Sequence, residues 1–244
     1  MKKIRLFLEG NSLKIGQEIK IAEGDFLYLN NVMRQKIGDK IHIFNGVDGE
    51  FESVILSIAK KSLHLQIIGK ISELKKLPNI TLAFAPVKNV RIDFIAAKGC
   101  ELGVRNFQPI LTQHTIVDKI NLERFKANIK EACEQCERND FPQIFAPKKL
   151  ERFLFEDAAN DKIFILCDES HHGKKAQKLL PNLHAANKEI VVLVGPEGGF
   201  SEEEFAKMRI KKNLYAMSLG PRILRADTAA IAALTLVQEF LGDF

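Results

Sequence analysis

The chain has 244 residues, 46% of them hydrophobic, and 36 Lys+Arg against 31 Asp+Glu give it a net charge of +5. That suffices for one large or two small domains with a real core, and its longest apolar runs are far too short to cross a membrane. Met1-Lys2-Lys3 looks like the start of a signal peptide, but Arg5 and Glu9 interrupt any apolar segment behind it, so a cytoplasmic location is expected.

Residues 1–72 read as β, with strand-like runs at 5–8, 26–29, 40–44, 51–58 and 62–68. Asn45-Gly46 and Asp48-Gly49 are hairpin signals between two of them. Short strands at this spacing suggest a small barrel. This segment holds 11 Lys/Arg against 8 Asp/Glu, more than half of the net excess, which leans toward an anionic partner at the N-terminal part.

Residues 73–78, Glu-Leu-Lys-Lys-Leu-Pro, form a short charged linker that ends in proline, and the domain boundary is expected there. From Asn79 onward the pattern alternates. Strands are expected at 80–85, 107–111, 163–167, 190–194 and 215–219. Helices are expected at 90–102, 122–138, 174–180 and 228–241, the first stopped by Gly103. Alternation of β and α predicts a parallel sheet with helices on both faces over residues 79–244.

Four cysteines, Cys100, Cys133, Cys136 and Cys167, are too few for a disulfide framework in a chain of this length. Cys133 and Cys136 lie within a helical pattern with no second pair at ligand spacing, so they read as reduced thiols. His171-His172 stand beside Asp168 and Glu169 without a further ligand at suitable spacing, and read as solvated loop residues. No metal site is expected.

Two stretches carry the chemistry. In the first, the apolar run Ile190–Val194 stops at Gly195-Pro196, passes Glu197-Gly198-Gly199, and reaches Ser201 and Glu204. An unbroken apolar run suits a strand covered on both faces. The glycines let backbone approach a ligand, and Ser201 with Glu204 reads as a capping box opening a helix. The loop matches neither a dinucleotide fingerprint nor a phosphate-binding P-loop. Glu197 and Glu202 to Glu204 favour a ligand that is neutral or cationic there, although a plain strand-to-helix turn has the same pattern. In the second, Leu219-Gly220-Pro221-Arg222-Ile223-Leu224-Arg225-Ala226-Asp227-Thr228-Ala229 again follows an apolar run and opens a helix. Two such loops at successive strand ends are expected side by side, outside the carboxyl edge of the sheet.

The pair, G-P-E-G-G-F-S-x-x-E followed by L-G-x-R-I-L-R-x-[DE]-T-A, resembles the RsmE family over nearly the whole chain. The resemblance implies an α/β SPOUT methyltransferase domain with a deep trefoil knot, preceded by a PUA-like, RNA-binding β-barrel. It implies methylation of N3 of a uridine in small-subunit (16S) ribosomal RNA with S-adenosylmethionine as cofactor, and a homodimer in which both subunits build each site. Cofactor contacts would fall to Leu193, Gly195, Glu197, Gly199, Leu219, Gly220, Ile223 and Leu224, largely through backbone. Arg225 would sit next to the methyl group and hold the uracil anion, whose base stays unassigned, although a salt bridge to Asp227 or a dimer contact is the plainer reading of that residue, and Arg222 would hold a phosphate.

Residues 28–34 and Gly38-Asp39 resemble the family's H-L-x-x-V-L-R…G-D segment, with Tyr28 in place of the usual His. Arg5 and Arg34 are the matching candidates for RNA contact. Lys88, Arg91, Lys98 and Glu101 match a K-x-x-[KR]…K-x-x-E-L-G segment, although Lys98 and Glu101, three apart on a helix, can simply pair. Glu131, Gln135 and Arg138 match E-A-x-E-Q-x-x-R on one helix face, which is either simply solvated or, as the resemblance implies, in contact with RNA or a second subunit. Two rivals remain: a non-catalytic RNA-binding or ribosome-assembly module that keeps the fold, and a generic mononucleotide-binding α/β protein.

Overall fold

The computed structural model describes residues 3–10, 12–87, 89–116, 120–155, 162–168 and 173–244. Lys88, the Arg91 side chain and His171-His172 lie outside the described residues. The chain divides into two compact units, residues 1–76 with 133–141, and residues 77–132 with 142–244. The first break falls inside the expected linker. Residues 133–141, expected in the second domain, belong to the first.

The first unit contains β1 (Arg5–Phe7), β2 (Glu18–Ala22), α1 (Glu23–Leu27), β3 (Lys40–Phe44), β4 (Glu50–Ile58) and β5 (Ser62–Ser72). They form a sheet in the order β1-β3-β4-β5-β2. The β1–β3 ladder is parallel and the other three are antiparallel. Alternation drives the burial: Ile19 and Ile21 of β2 point inward while Glu18 and Lys20 point out. Ile41 and Ile43 of β3 and Leu63, Leu65 and Ile67 of β5 join the same core. The β3–β4 turn closes as the hairpin signal predicts, with the Asn45 side chain accepting the N–H groups of Val47 and Asp48 at 3.0 and 2.8 Å.

Residues 26–29, expected as a strand, are helical, because α1 runs into a π-helical turn over Tyr28–Val32. Phe26 and Leu29, three apart, are buried while Leu27 and Tyr28 are exposed. That helical spacing overrides the β preference of the aromatic run. Beyond the turn, Arg34 is exposed in a left-handed conformation, φ +53.

Arg5 does not reach solvent, which corrects its expected RNA contact. It is 3% exposed. Its Nε and Nη2 donate to the two Glu50 oxygens at 3.2 and 3.1 Å. Nη1 donates to the Cys133 carbonyl at 2.6 Å and Nη2 to that of Arg138 at 2.9 Å. Arg138 is corrected for the same reason: it is buried and donates to Asp140 at 2.9 and 2.6 Å. Nor does it share a helix face with Glu131 and Gln135. Helix α3 (Leu122–Gln135) stops first, and Glu137 turns the chain at φ +62.

Burial alone raises the Glu50 pKa, but the hydrogen bonds from Arg5, His42 and Lys3 outweigh it and bring the carboxyl down to about 2 from 4.5. A depressed carboxyl stabilises the fold above its unfolded pKa, and that contribution is lost as pH falls from about 4.5 toward 2. The shift corresponds to about 3 kcal/mol. Urea titrations between neutral pH and pH 3, which stops short of the folded pKa, should show wild-type stability falling by about 2 kcal/mol more than that of Glu50→Gln. Parallel losses in the two proteins would remove Glu50 from the acid response.

The second unit contains β6 (Ile80–Phe84), α2 (Asn89–Glu101), β7 (Asn106–Leu111), most of α3, β8 (Gln143–Ile144), β9 (Lys148–Lys149), α4 (Leu150–Phe155) and β10 (Lys162–Cys167). There follow β11 (Lys174–Lys175), α5 (Ala176–Leu179), β12 (Glu189–Val194), α6 (Glu202–Arg209), β13 (Leu214–Ser218) and α7 (Ala226–Leu241). The helix expected at 174–180 thus begins with a short edge strand. The sheet runs β11-β13-β10-β12-β6-β7-β8, with β9 beside β7, and its ladders are parallel.

Helices cover both faces. Val191 and Leu193 of β12, with Phe164 and Leu166 of β10, pack against Leu150, Phe153 and Leu154 of α4 and Met208 of α6. The alternate residues Ile190, Val192 and Val194 are equally buried on the other side, where α7 packs on β12 and β10 and α2 packs on α7. One expectation is corrected: the strands that carry the two glycine loops are not neighbours, because β10 lies between β12 and β13.

Candidate active site

Because the ladders are parallel, the loop after β12 and the loop after β13 both leave from the carboxyl edge, with the end of β10 between them. The three strand ends enclose one cavity. Cys167 and Asp168 form its floor, Val194, Gly195, Pro196, Glu197 and Phe200 one wall, and Leu219, Gly220, Arg222, Ile223 and Leu224 the other. Ala226 and Ala229, in the first turn of α7, complete it.

Six of the eight expected cofactor residues therefore line the cavity: Gly195, Glu197, Leu219, Gly220, Ile223 and Leu224. Leu193 does not. Its side chain is fully buried in the core against α4 and α6, and alternation gives the cavity position to Val194 instead. Gly199 is also absent from the lining. It turns the chain at φ +68, and its N–H donates to the Pro196 carbonyl at 3.0 Å, so glycine is needed here for the turn itself.

The capping box forms as expected. Ser201 Oγ accepts the Glu204 N–H at 3.2 Å, and Glu204 Oε2 accepts the Ser201 N–H at 2.9 Å. The other Glu204 oxygen accepts the Gln113 N–H at 2.9 Å. His114 Nδ1 lies 3.0 Å from the Gly198 carbonyl oxygen; a carbonyl only accepts, so this nitrogen donates. The turn after β7 is thus latched onto the glycine loop, a contact no local pattern announced. Asp168 was also missed as a lining residue, although its place directly after an apolar strand was a usable signal.

The cavity is acidic on its strand side. Asp168 is 7% exposed, and Glu197, exposed, lines the same cavity. Burial pushes the Cys167 thiol up to about 12, so it stays neutral and is no base at pH 7. Arg222 stands exposed at the rim. Arg225, also exposed, is the N-cap of α7 and gives no side-chain cap. A salt bridge to Asp227 is not its role, since Asp227 Oδ1 accepts the Thr228 N–H at 2.8 Å and Arg225 pairs with no described carboxylate. A cation at a helix N-terminus meets the positive end of the dipole, so Arg225 gains nothing in stability from its position.

The cavity measures about 70 Å³, against roughly 300–1,000 Å³ for typical small-molecule sites. On the wall at 219–224, a Cβ at Gly220 would meet no heavy atom within 4 Å, and Ile223 is 80% exposed. Among the described residues no group of three or more His, Cys, Asp or Glu could hold a metal ion, and no helix is long and apolar enough to cross a membrane.

Residues 74–238 match the model of an RNA methyltransferase domain, and residues 21–68 that of an RNA methyltransferase PUA domain. Ribosomal RNA small subunit methyltransferase E of Buchnera aphidicola is 33% identical over 251 aligned positions, covering 100% of this chain and 96% of that one. The protein of the same name from Rickettsia conorii is 30% identical, covering 98% of this chain and 96% of its own. The crystal structure of the Neisseria gonorrhoeae enzyme of that name, bound to S-adenosyl methionine, superposes with a TM-score of 0.89 at 28% identity over the full length of both chains. With domain order, fold and full-length similarity in agreement, this chain belongs to the RNA methyltransferase family that includes ribosomal RNA small subunit methyltransferase E.

Proposed function

We propose that the chain methylates N3 of a uridine in small-subunit ribosomal RNA with S-adenosylmethionine as methyl donor. The observation that carries this is the cavity at the strand ends. Its aliphatic walls, Val194, Leu219 and Leu224, suit an adenine ring, and Asp168 and Glu197 suit a ligand with cationic groups. A related enzyme of the same length and fold binds that cofactor.

Bound there, S-adenosylmethionine supplies an electrophilic methyl group. Gly195, Glu197, Leu219, Gly220, Ile223 and Leu224 hold the cofactor, Leu193 contributes backbone only, and Gly199 keeps the loop in shape. Alignment and exclusion of water provide most of the help such a displacement needs. Arg225 and the free N–H groups at the start of α7 stabilise the uracil anion as its N3 proton leaves. Arg222 holds a phosphate, and Arg34, with Lys88 and Arg91, contacts RNA. Family membership also supports a knotted second domain, a homodimer in which both subunits build each site, and a cytoplasmic place of action.

Small-subunit ribosomal RNA from a strain lacking this protein should lose one N3-methyluridine by mass spectrometry and regain it on complementation. Calorimetry should show S-adenosylmethionine binding unchanged by EDTA. A chain that binds RNA but not the cofactor would be a non-catalytic RNA-binding module instead.

A further inference from the structure

A second cavity, of about 330 Å³, opens at the other end of β10 and β13. Lys162, the first residue of β10, and Tyr215, near the start of β13, lie at its base, and Lys174, Lys178, His184 and Lys188 line it from β11, α5 and the loop before β12. Among the described residues no carboxylate contributes to the lining. The sequence has the same bias: between Glu169 and Glu189 there are four lysines and three histidines but no Asp or Glu.

Some lysines elsewhere on this chain have carboxylate partners, as in Lys40–Glu52, Lys98–Glu101 and Lys207–Glu151, and others stand alone on open surface. Of the four lysines that line this cavity, Lys162 pairs with Glu189 at 3.3 Å. Lys174, Lys178 and Lys188 form no ion pair with a described residue. Like charges converging on a concave wall focus a positive potential, which the Glu189 carboxylate offsets at Lys162.

We propose that this cavity is a phosphate-binding subsite for the backbone of the RNA substrate. Three unpaired ammonium groups around a volume larger than one phosphate fit successive phosphodiesters, each lysine acting as a compact point charge. The floor of the first cavity, at Cys167, is five residues along β10 from Lys162. At about 3.3 Å per residue the two cavities are roughly 17 Å apart. The subsite is thus too far from the reacting base to take part in chemistry. It sets affinity and register, as backbone contacts do.

This inference rests on RNA being the substrate. The test uses the full chain with Lys174→Gln, Lys178→Gln and Lys188→Gln combined, titrated with a small-subunit ribosomal RNA fragment from low to high salt. The slope of log affinity against log salt should fall by about two to three, with binding at low salt weakened at least roughly tenfold. S-adenosylmethionine affinity and turnover at saturating RNA should stay at wild-type values, and the corresponding triple Arg variant should keep the wild-type slope. A Gln variant with wild-type slope and affinity overturns the subsite. So does tight, saturable binding of inorganic phosphate or a free mononucleotide without any change in RNA affinity. A wild-type chain that fails to bind RNA at all overturns the proposed function, and the subsite with it.

Discussion

Arg225→Ala should lower the single-turnover methylation rate by about a hundredfold or more, roughly 3 kcal/mol, the usual loss when one charge-stabilising donor is removed. Cofactor affinity should hardly change, because the Arg225 side chain is not part of the cavity lining. An interaction made mainly in the transition state lowers kcat and kcat/KM together. Thermal stability should hold or rise slightly, since a cation leaves the positive end of α7. Single-turnover rates on pre-formed complex, with sedimentation of the same sample, separate this role from a subunit contact. A fully assembled variant with the wild-type rate would remove Arg225 from the chemistry.

Arg5→Met should cost about 3–5 kcal/mol of stability in the first unit, the range for breaking a buried ion pair from one side. The loss leaves the Glu50 carboxylate, 4% exposed, without its bidentate partner, and takes from the carbonyls of Cys133 and Arg138 the hydrogen bonds that Arg5 donates. Arg5→Lys should recover little, since an ammonium cannot reproduce the fork. Denaturant titration measures the loss, and hydrogen exchange across residues 133–141 localises it. Arg34→Ala is the matched control: exposed in the same unit, it should leave stability intact and weaken RNA binding. If Arg5→Met kept full stability but lost RNA affinity, Arg5 would be an RNA contact after all.

These two arginines show what was legible. The strand, glycine loop and helix at 189–209 could be read from sequence because each signal is local: an apolar run, a Gly-Pro stop and a capping box. The same holds for the second loop and for the hairpin at Asn45. The fate of Arg5 depended on Glu50 and on carbonyls more than 125 residues away, and no window of sequence contains that. Arg138 failed for a related reason, since a left-handed Glu137 ended the helix that was to display it. The position of β10 between β12 and β13 is a matter of sheet order, which periodicity does not encode. The helix at 26–29 carries a local signal, since Phe26 and Leu29 stand three apart, a helical interval.

The transfer of residues 133–141 to the first unit has a consequence for synthesis. The last strand of that unit ends at Ser72, but the segment that receives the Arg5 guanidinium and stacks Phe141 on Phe7, ring centroids 4.1 Å apart, begins at Cys133. At about 5–20 residues per second a ribosome needs roughly 3–12 s to cover the interval. Through that time Arg5 and Glu50 have each other but not the helix end. The N-terminal unit is first in the chain and yet cannot finish first. A gene fragment cut anywhere between the two units in sequence order encodes an incomplete product, because the boundary that separates them in space is crossed three times by the chain.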